Sequence, residues 1–171
     1  MHLDWRELKK TDARAALFEL LGELRVEYSL IEHAGSGKTS ESAADAAGEE
    51  RSSIVKSMLL KNGKSEYLGV IVGGDQRIDF GKVREAARAS GRFGSDKFGL
   101  ARPDEVKAAL GFEVGGVPPF AFYMGGIVAF VGARVMEKEY VFGAGGNEFS
   151  GIRFSPREFA KFRYLAEDIG K

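Results

Sequence analysis

Apolar residues recur at helical spacing near the start of the chain, at Ala13, Ala16, Leu17, Leu20, Leu21 and Leu24. Thr11 or Asp12 stands where the N-cap of such a helix belongs. Trp5 and Leu8 extend the same pattern toward the N-terminus. We therefore predict a helical extension over about residues 1–25.

The pattern then changes from helical spacing to alternation. Val26, Tyr28 and Leu30 alternate with polar residues, which predicts a strand that ends near His33. A glycine-rich turn follows this strand. Thr39 is then a suitable N-cap for a short alanine-rich helix, and Gly48 is a suitable end for it.

A hairpin is predicted in the middle of the chain. Residues 54–60 and 67–72 are strand-like, and Asn62-Gly63 lies between them. This dipeptide favours a two-residue turn because both of its residues tolerate positive φ. After a Gly-Gly-Asp turn, a further helix is predicted to end at Gly91.

The rest of the chain mixes helices and strands. Pro103 opens a helix that ends at Gly111, and residues 127–131 and 140–142 are strand-like. Residues 155–158 have the sequence of a capping box, which predicts a C-terminal helix that offers Phe159, Phe162 and Leu165 to the core. Because strands and helices do not alternate regularly, we expect one α+β domain over residues 1–171. Its architecture would be a mixed, largely antiparallel sheet or open barrel with helices packed on it.

Composition limits the functional classes. The 171 residues are 44% hydrophobic and lack cysteine, which fits one core and excludes disulfides, a cysteine nucleophile and a thiolate metal site. Asp4 and Arg6 carry charge where a signal peptide needs an apolar stretch, and no run approaches the ~20 apolar residues that span a bilayer. We expect a cytoplasmic protein with no membrane partner.

The charges of the chain balance, because Lys plus Arg and Asp plus Glu each number 25. RNA binding would therefore depend on a local basic patch.

Gly35-Ser36-Gly37-Lys38-Thr39 lies between a predicted strand and a predicted helix, as a phosphate-binding loop would. The full motif requires a glycine five positions before Gly37, where this chain has Glu32. The carboxylate of Glu32 would repel phosphates. A flexible loop that caps a helix is therefore preferred over nucleotide hydrolysis.

Lys56 interrupts the strand of residues 54–60, whose two alternating faces are otherwise apolar. A lysine within a covered strand must reach solvent, find an anionic partner or lower its pKa. Two interpretations stay open, a functional ammonium in a pocket and a lysine that extends to water.

A glycine- and proline-rich loop spans residues 111–120. Glycines allow a ligand to approach the backbone closely, and prolines hold the N–H donors in place. Such a loop suits a carbonyl or a ribose, although an ordinary turn has the same composition.

The chain resembles the YbaK-like aminoacyl-tRNA deacylases, whose domain is also the editing insertion of bacterial prolyl-tRNA synthetases. The resemblance spans about residues 33–159. It is carried by TSESAA at 39–44, IVKSM at 54–58, GDQRID at 74–79, LARPDEV with the loop that follows at 100–119, and AGG at 144–146.

The resemblance implies a trans-editing enzyme that hydrolyses the ester of a mischarged tRNA without metal or cofactor. Lys56 would correspond to the functional lysine, and the loop at 115–119 would bind the aminoacyl-adenosine end. The substrate-binding candidates are His33, Thr39, Asp75, Gly115, Gly116, Val117, Pro118, Pro119 and Gly145. The expected partners are the 3′ end of an aminoacyl-tRNA and, as a further candidate, an aminoacyl-tRNA synthetase.

The chain also departs from the family pattern. Gly132 stands where the family often has Asp, Asn147-Glu148 stand where basic residues are usual, and His33 lacks the proline that commonly follows it. These departures leave an alternative open, a module of the same fold that binds tRNA or a synthetase without catalysis.

Overall fold

The structure, a computed structural model, describes residues 3–171, so Met1 and His2 of the predicted N-terminal extension lie outside the described residues. The α-helices are α1 (Trp5–Leu8), α2 (Ala13–Glu23), α3 (Ser40–Ala47), α4 (Phe80–Ser90), α5 (Pro103–Leu110), α6 (Ala121–Met124) and α7 (Ala133–Met136). Two 3-10 helices span Arg51–Ser53 and Pro156–Phe162. No helix in residues 3–171 combines the length and the apolar character that a membrane span requires.

Capping side chains set the helix starts that the sequence predicts. Asp12 accepts a hydrogen bond from the N–H of Ala15 at 3.0 Å and so opens α2. Thr39 does the same for Ser42 at 3.0 Å and opens α3. The predicted extension is therefore two helices, since α1 ends at Leu8 before α2 begins.

The strands form two sheets. They are β1 (Tyr28–Glu32), β2 (Val55–Asn62), β3 (Tyr67–Gly73), β4 (Phe98–Leu100), β5 (Ala129–Gly132), β6 (Val141–Ala144), β7 (Ser150–Phe154) and β8 (Leu165–Glu167). One sheet has the order β1-β7-β6 and the other has the order β4-β2-β3-β5-β8. The β3–β5 and β5–β8 pairs are parallel, and the others are antiparallel. This confirms the predicted α+β class with a mixed, open sheet arrangement.

Both faces of the larger sheet are covered, as the apolar pattern of β2 predicts. Val55 and Leu59 belong to a large core cluster that also holds α2 residues and the phenylalanines of the C-terminal half. Leu60 faces the other way, into a second cluster with Val83 and Ala87 of α4. Alternate residues of one strand therefore stabilise two separate cores.

The predicted two-residue Asn62-Gly63 turn is wrong. The N–H of Asn62 donates to the carbonyl of Glu66 at 3.0 Å, which leaves a three-residue loop, and Ser65 takes the positive φ of 60°. The buried Asn62 side chain donates to the carbonyl of Ser95 at 2.8 Å. This contact from a distant segment holds Asn62 in the strand and moves the turn onward.

The predicted C-terminal helix forms with Ser155 as its N-cap, but it is not an α-helix. Pro156–Phe162 is a 3-10 helix, and Leu165 begins β8. Phe159 and Phe162 lie three residues apart, which matches one 3-10 turn. Both rings pack on Phe120, with centroid distances of 5.8 and 4.5 Å, so tertiary packing favours the tighter helix.

Candidate active site

A cavity of about 440 Å³ lies where the two sheets separate. Its walls come from the first half of β2, the end of β6, the N-terminus of α3 and the loop before α6. The residues that line it are His33, Gly37, Lys38, Thr39, Ser40, Glu41, Ala43, Arg51, Ile54, Val55, Lys56, Ser57, Met58, Val114, Gly115, Val117, Phe142, Gly143, Ala144, Asn147 and Ser150.

The two sheets lie apart at the cavity because the segments that contact the outer edge of β2 leave part of that edge unpaired. Strand β4 pairs with Leu60–Asn62, and it does not continue beside the first half of β2. The other sheet contacts β2 through a bridge between Ile54 and Phe142. Between these two contacts the edge of β2 borders the cavity.

Lys56 lines the cavity, and its position lowers its pKa. The main cause is loss of hydration, and the nearby cations Arg51 and Arg77 lower the pKa further, whereas Asp75 opposes the change. The ammonium donates to the carbonyl of Gln76. None of the ion pairs found within residues 3–171 includes Lys56.

The charged side chains around the cavity favour an anion. Lys38, Arg51 and Lys56 contribute cations to its lining, and Glu41 contributes a carboxylate. Arg51 is held in place because its Nε donates to the carbonyl of Gly74 at 2.9 Å. Such a cluster can bind a phosphate or polarise a carbonyl.

The glycine- and proline-rich loop divides into residues that face the cavity and residues behind it. Gly115 and Val117 line the cavity, whereas Gly116, Pro118 and Pro119 are buried outside its lining. Gly115 has a φ of 92°, and a Cβ added there would lie 2.5 Å from Cγ of Lys38. This position therefore requires glycine.

The buried residues of the loop support it rather than border the cavity. The N–H of Gly116 donates to the carbonyl of Glu113 at 2.9 Å, and a Cβ added to Gly116 would lie 3.0 Å from Cα of Asn147. A Cβ added to Gly143 would lie 2.8 Å from the ring of Pro119. The loop thus packs closely on β6 and on the turn that follows it.

Of the other predicted site residues, His33 and Thr39 line the cavity, and Asp75 and Gly145 do not. Nδ1 of His33 lies 2.6 Å from the carbonyl of Gly35, within hydrogen-bonding distance. Asp75 is exposed and acts on Lys56 through its charge. Gly145 is buried, and its carbonyl accepts from Nε of Arg14 at 3.0 Å.

Sequence reasoning missed Arg51 and Ser57 as site residues. The hydroxyl of Ser57 is buried and has no hydrogen-bond partner in the described part of the chain. In the sequence, only its position next to Lys56 points to Ser57, and a serine within a strand is otherwise an ordinary residue. For Arg51, the sequence offers no indication beyond its charge.

Of the residues that depart from the family pattern, Asn147 lines the cavity, and Gly132 and Glu148 do not. Gly132 is buried at the end of β5 and is absent from the cavity lining. Glu148 holds the Gly35–Thr39 loop, because its carbonyl accepts from the N–H of Gly37 at 2.6 Å and its carboxylate accepts from the Ser36 hydroxyl at 2.6 Å. Across residues 3–171, His, Asp and Glu side chains form no group of three arranged for a metal ion.

Known proteins similar to this chain include two whose names refer to tRNA editing. The chain is 30% identical over 138 residues to uncharacterized protein YwhH of Bacillus subtilis (strain 168), which covers 81% of this chain and 83% of YwhH. It is 32% identical over 111 residues to prolyl-tRNA editing protein ProX of Acetoanaerobium sticklandii, which covers 64% of this chain and 63% of ProX.

Solved structures agree with this relationship. Hypothetical protein APE2540 matches with a TM-score of 0.80 and 28% identity, covering 91% of this chain and 99% of its own. A proposed trans-editing enzyme for prolyl-tRNA synthetase matches with a TM-score of 0.74 and 26% identity, covering 94% and 98% of the two chains.

The model of the aminoacyl-tRNA editing domain matches residues 34–162. This range includes every residue that lines the cavity except His33. The chain therefore belongs to the aminoacyl-tRNA editing domain family.

Proposed function

We propose that this protein is a trans-editing deacylase, which hydrolyses the ester between a wrong amino acid and the terminal ribose of a tRNA. The observation that carries the proposal is Lys56, a partly dehydrated ammonium that forms no ion pair within residues 3–171 and lines a cavity of an aminoacyl-tRNA editing domain. A ligand that brings negative charge would supply the missing partner.

The reaction requires a water oxygen to bond to the ester carbonyl carbon while that water releases one proton to the surrounding solvent. The carbonyl oxygen then carries negative charge until the carbon–oxygen bond to the ribose breaks and the ribose oxygen takes up a proton. Lys56 is suited to contact a terminal phosphate or this developing oxyanion. A hydroxyl of the terminal ribose is suited to orient the water.

We propose that the reaction needs no metal ion and no organic cofactor, because proton transfer and positioned donors are sufficient for ester hydrolysis. The proposed partner is the 3′ end of a charged tRNA in the cytoplasm. A synthetase that delivers the tRNA is a second proposed partner, since two relatives are named for prolyl-tRNA or its synthetase.

A binding module without catalytic activity is the second candidate function, and Gly132 in place of the family's common Asp favours it. However, Gly132 does not border the cavity, so this change leaves the lining around Lys56 intact.

One experiment separates the two candidates. Catalytic amounts of the protein are mixed with a panel of aminoacyl-tRNAs, beginning with mischarged tRNAs for proline, and the loss of the ester is followed. The deacylase proposal expects many turnovers on at least one substrate and little activity with Lys56→Ala. Protection of the ester at stoichiometric protein, with no turnover on any substrate, would support the binding module.

A further inference from the structure

The open edge of β2 carries a pair of backbone groups that faces the cavity. Even-numbered residues of β2 bond to β3, as shown by Asn62 N–H to Glu66 carbonyl at 3.0 Å and Gly74 N–H to Ile54 carbonyl at 2.6 Å. Odd-numbered residues face the other edge, as shown by Ala101 N–H to Leu59 carbonyl at 2.9 Å. Antiparallel alternation therefore turns the N–H and C=O of Ser57 away from β3.

In the part of the chain that the structure describes, no strand pairs with Ser57 on that edge. Strand β4 is paired at Leu60–Asn62, the Ala101 bond reaches Leu59, and the chain then turns into α5 at Pro103. Within residues 3–171, the backbone N–H and C=O of Ser57 form no hydrogen bond with a residue outside the paired strands. Ser57 lines the cavity, and its N–H and C=O point to the edge of β2 that β4 leaves unpaired.

An aminoacyl ester has the complementary groups at the same spacing. Two residues opposite each other in a hydrogen-bonded antiparallel pair exchange both N–H···O bonds. The α-amino group and the ester carbonyl of a single amino acid supply one donor and one acceptor in that arrangement. One residue of free strand edge is sufficient to bind one aminoacyl group.

We infer that the aminoacyl group of the substrate pairs with Ser57 as a one-residue extension of the sheet, with the Ser57 C=O accepting from the α-amino group and the Ser57 N–H donating to the ester carbonyl. The inference rests on the proposed deacylase function and makes the Ser57 N–H a donor to the developing oxyanion. It also places the amino-acid side chain on the same face as the Ser57 side chain.

The buried hydroxyl of Ser57 agrees with this placement. It lies on the Val55 and Leu59 face of the strand and has no partner in the described residues. Val55 and Val117 also line the cavity and contribute apolar surface to it. The side chain of the bound amino acid would lie on the Val55 side of the strand.

The test replaces a single backbone N–H. Lactic acid introduced at position 57 by nonsense suppression changes the amide to an ester, and the reference protein is Ser57→Ala, which has the same side chain. We expect kcat/KM for deacylation to fall by about 10²–10³ relative to Ser57→Ala, as for the loss of one oxyanion donor. The matched control is 2-hydroxyisocaproic acid at Leu59, where the lost N–H faces β4 and the rate should stay within about twofold of that of the unmodified protein.

A binding measurement distinguishes failure of this inference from failure of the proposed function. The probe is 3′-amino-3′-deoxyadenosine carrying alanine through a stable amide, added to the 15N-labelled protein. We expect the Ser57 amide resonance to shift and its hydrogen exchange to slow, with little change at Leu59. Binding in this way without turnover on any tRNA would keep the pairing with Ser57 but overturn the deacylase and, with it, the role of the Ser57 N–H as an oxyanion donor. Equal turnover by the protein with lactic acid at position 57 and by Ser57→Ala would overturn the inference and keep the deacylase. The absence of both binding and turnover would overturn both.

Discussion

Lys56 and Lys61 lie five positions apart on the same strand, yet their environments shift their pKa values in opposite directions. Lys61 forms an ion pair with Glu105, whose side chain is 11% exposed, and this contact raises the pKa of Lys61. Lys56 has no such carboxylate, and dehydration lowers its pKa. One ammonium has a carboxylate partner, and the other donates to a backbone carbonyl at the cavity.

The difference follows from the two halves of β2. Lys61 lies in the half that is paired on both edges, by β3 and by β4. Lys56 lies in the half that is paired by β3, where the other edge borders the cavity. The strand thus combines a closed half that stabilises the fold with an open half that is suited to binding.

The largest expected effect comes from removing Lys56. Lys56→Ala should lower kcat/KM for deacylation by about 10² or more, because one positioned cation at a developing oxyanion or phosphate is lost. The melting temperature should stay unchanged or rise, since a poorly satisfied charge has been removed. Lys56→Arg should also fail, because a planar guanidinium does not replace a compact ammonium in a confined site.

Lys61→Ala is the matched control for that experiment. It removes the partner of Glu105 in the closed half, so the melting temperature should fall slightly while deacylation continues at the normal rate. Near-normal turnover in both Lys56 variants would show that Lys56 merely extends to solvent. The comparison between the two lysines would then have no functional meaning.

The pH dependence provides a second way to sharpen the comparison. If protonated Lys56 is the active form, kcat/KM should decline about tenfold per pH unit above a pKa lower than the ordinary lysine value of 10.5. Initial rates over a pH series, corrected for spontaneous ester hydrolysis, measure this decline. An alkaline limb that appears only above the ordinary lysine pKa would contradict the lowered value.

The same shifts have opposite consequences for stability. A lysine whose pKa is lowered by folding disfavours the folded state below that lowered pKa, and this effect disappears as the pH rises through it toward 10.5. A lysine whose pKa is raised stabilises the folded state below 10.5 and loses this effect above its raised pKa. Lys56→Met should therefore be more stable than the natural protein at neutral pH, and the difference should shrink under alkaline conditions.

Much of the fold could be predicted because its signals are local. The caps at Asp12 and Thr39 act within one helical turn, and the apolar pattern of β2 marks a strand covered on both faces. The failures have distant causes. The hairpin turn moves because Asn62 bonds to Ser95, and the last helix tightens because its phenylalanines pack on Phe120.

The site was predictable to the extent that single residues break a local rule. Lys56 stands out because a charge interrupts an apolar strand. Ser57 does not, because its proposed role depends on β4 pairing no further than the Leu59 region, which is a property of the sheet and not of the serine. The same limit applies to Gly116, whose surroundings come from Asn147 on another turn.

Gly116→Val should have a smaller effect than the loss of Lys56. The added side chain would press on the backbone of Asn147, which lines the cavity, so both the loop and the turn must move by a few tenths of an ångström. We expect a lower melting temperature and a deacylation rate that falls several-fold, on the order of the change expected from a misplaced loop. Lys97→Ala, an exposed change outside both the loop and the cavity lining, is the control. A variant with the normal melting temperature and rate would show that the loop is only a turn.

The smallest expected effect is the absence of nucleotide binding at Gly35–Thr39, a loop that borders the open half of β2. A phosphate-binding loop needs free N–H groups, but the N–H of Gly37 donates to the carbonyl of Glu148 and the N–H of Lys38 donates to the Ser36 hydroxyl. Glu32 also occupies the position of the first motif glycine. Calorimetry with ATP and magnesium should show no saturable heat at millimolar concentration, with Lys38→Ala indistinguishable from the natural protein. Micromolar binding that disappears in Lys38→Ala would show that the cations around the open half bind a nucleotide. The proposal that Lys56 binds an aminoacyl-tRNA would then lose its support.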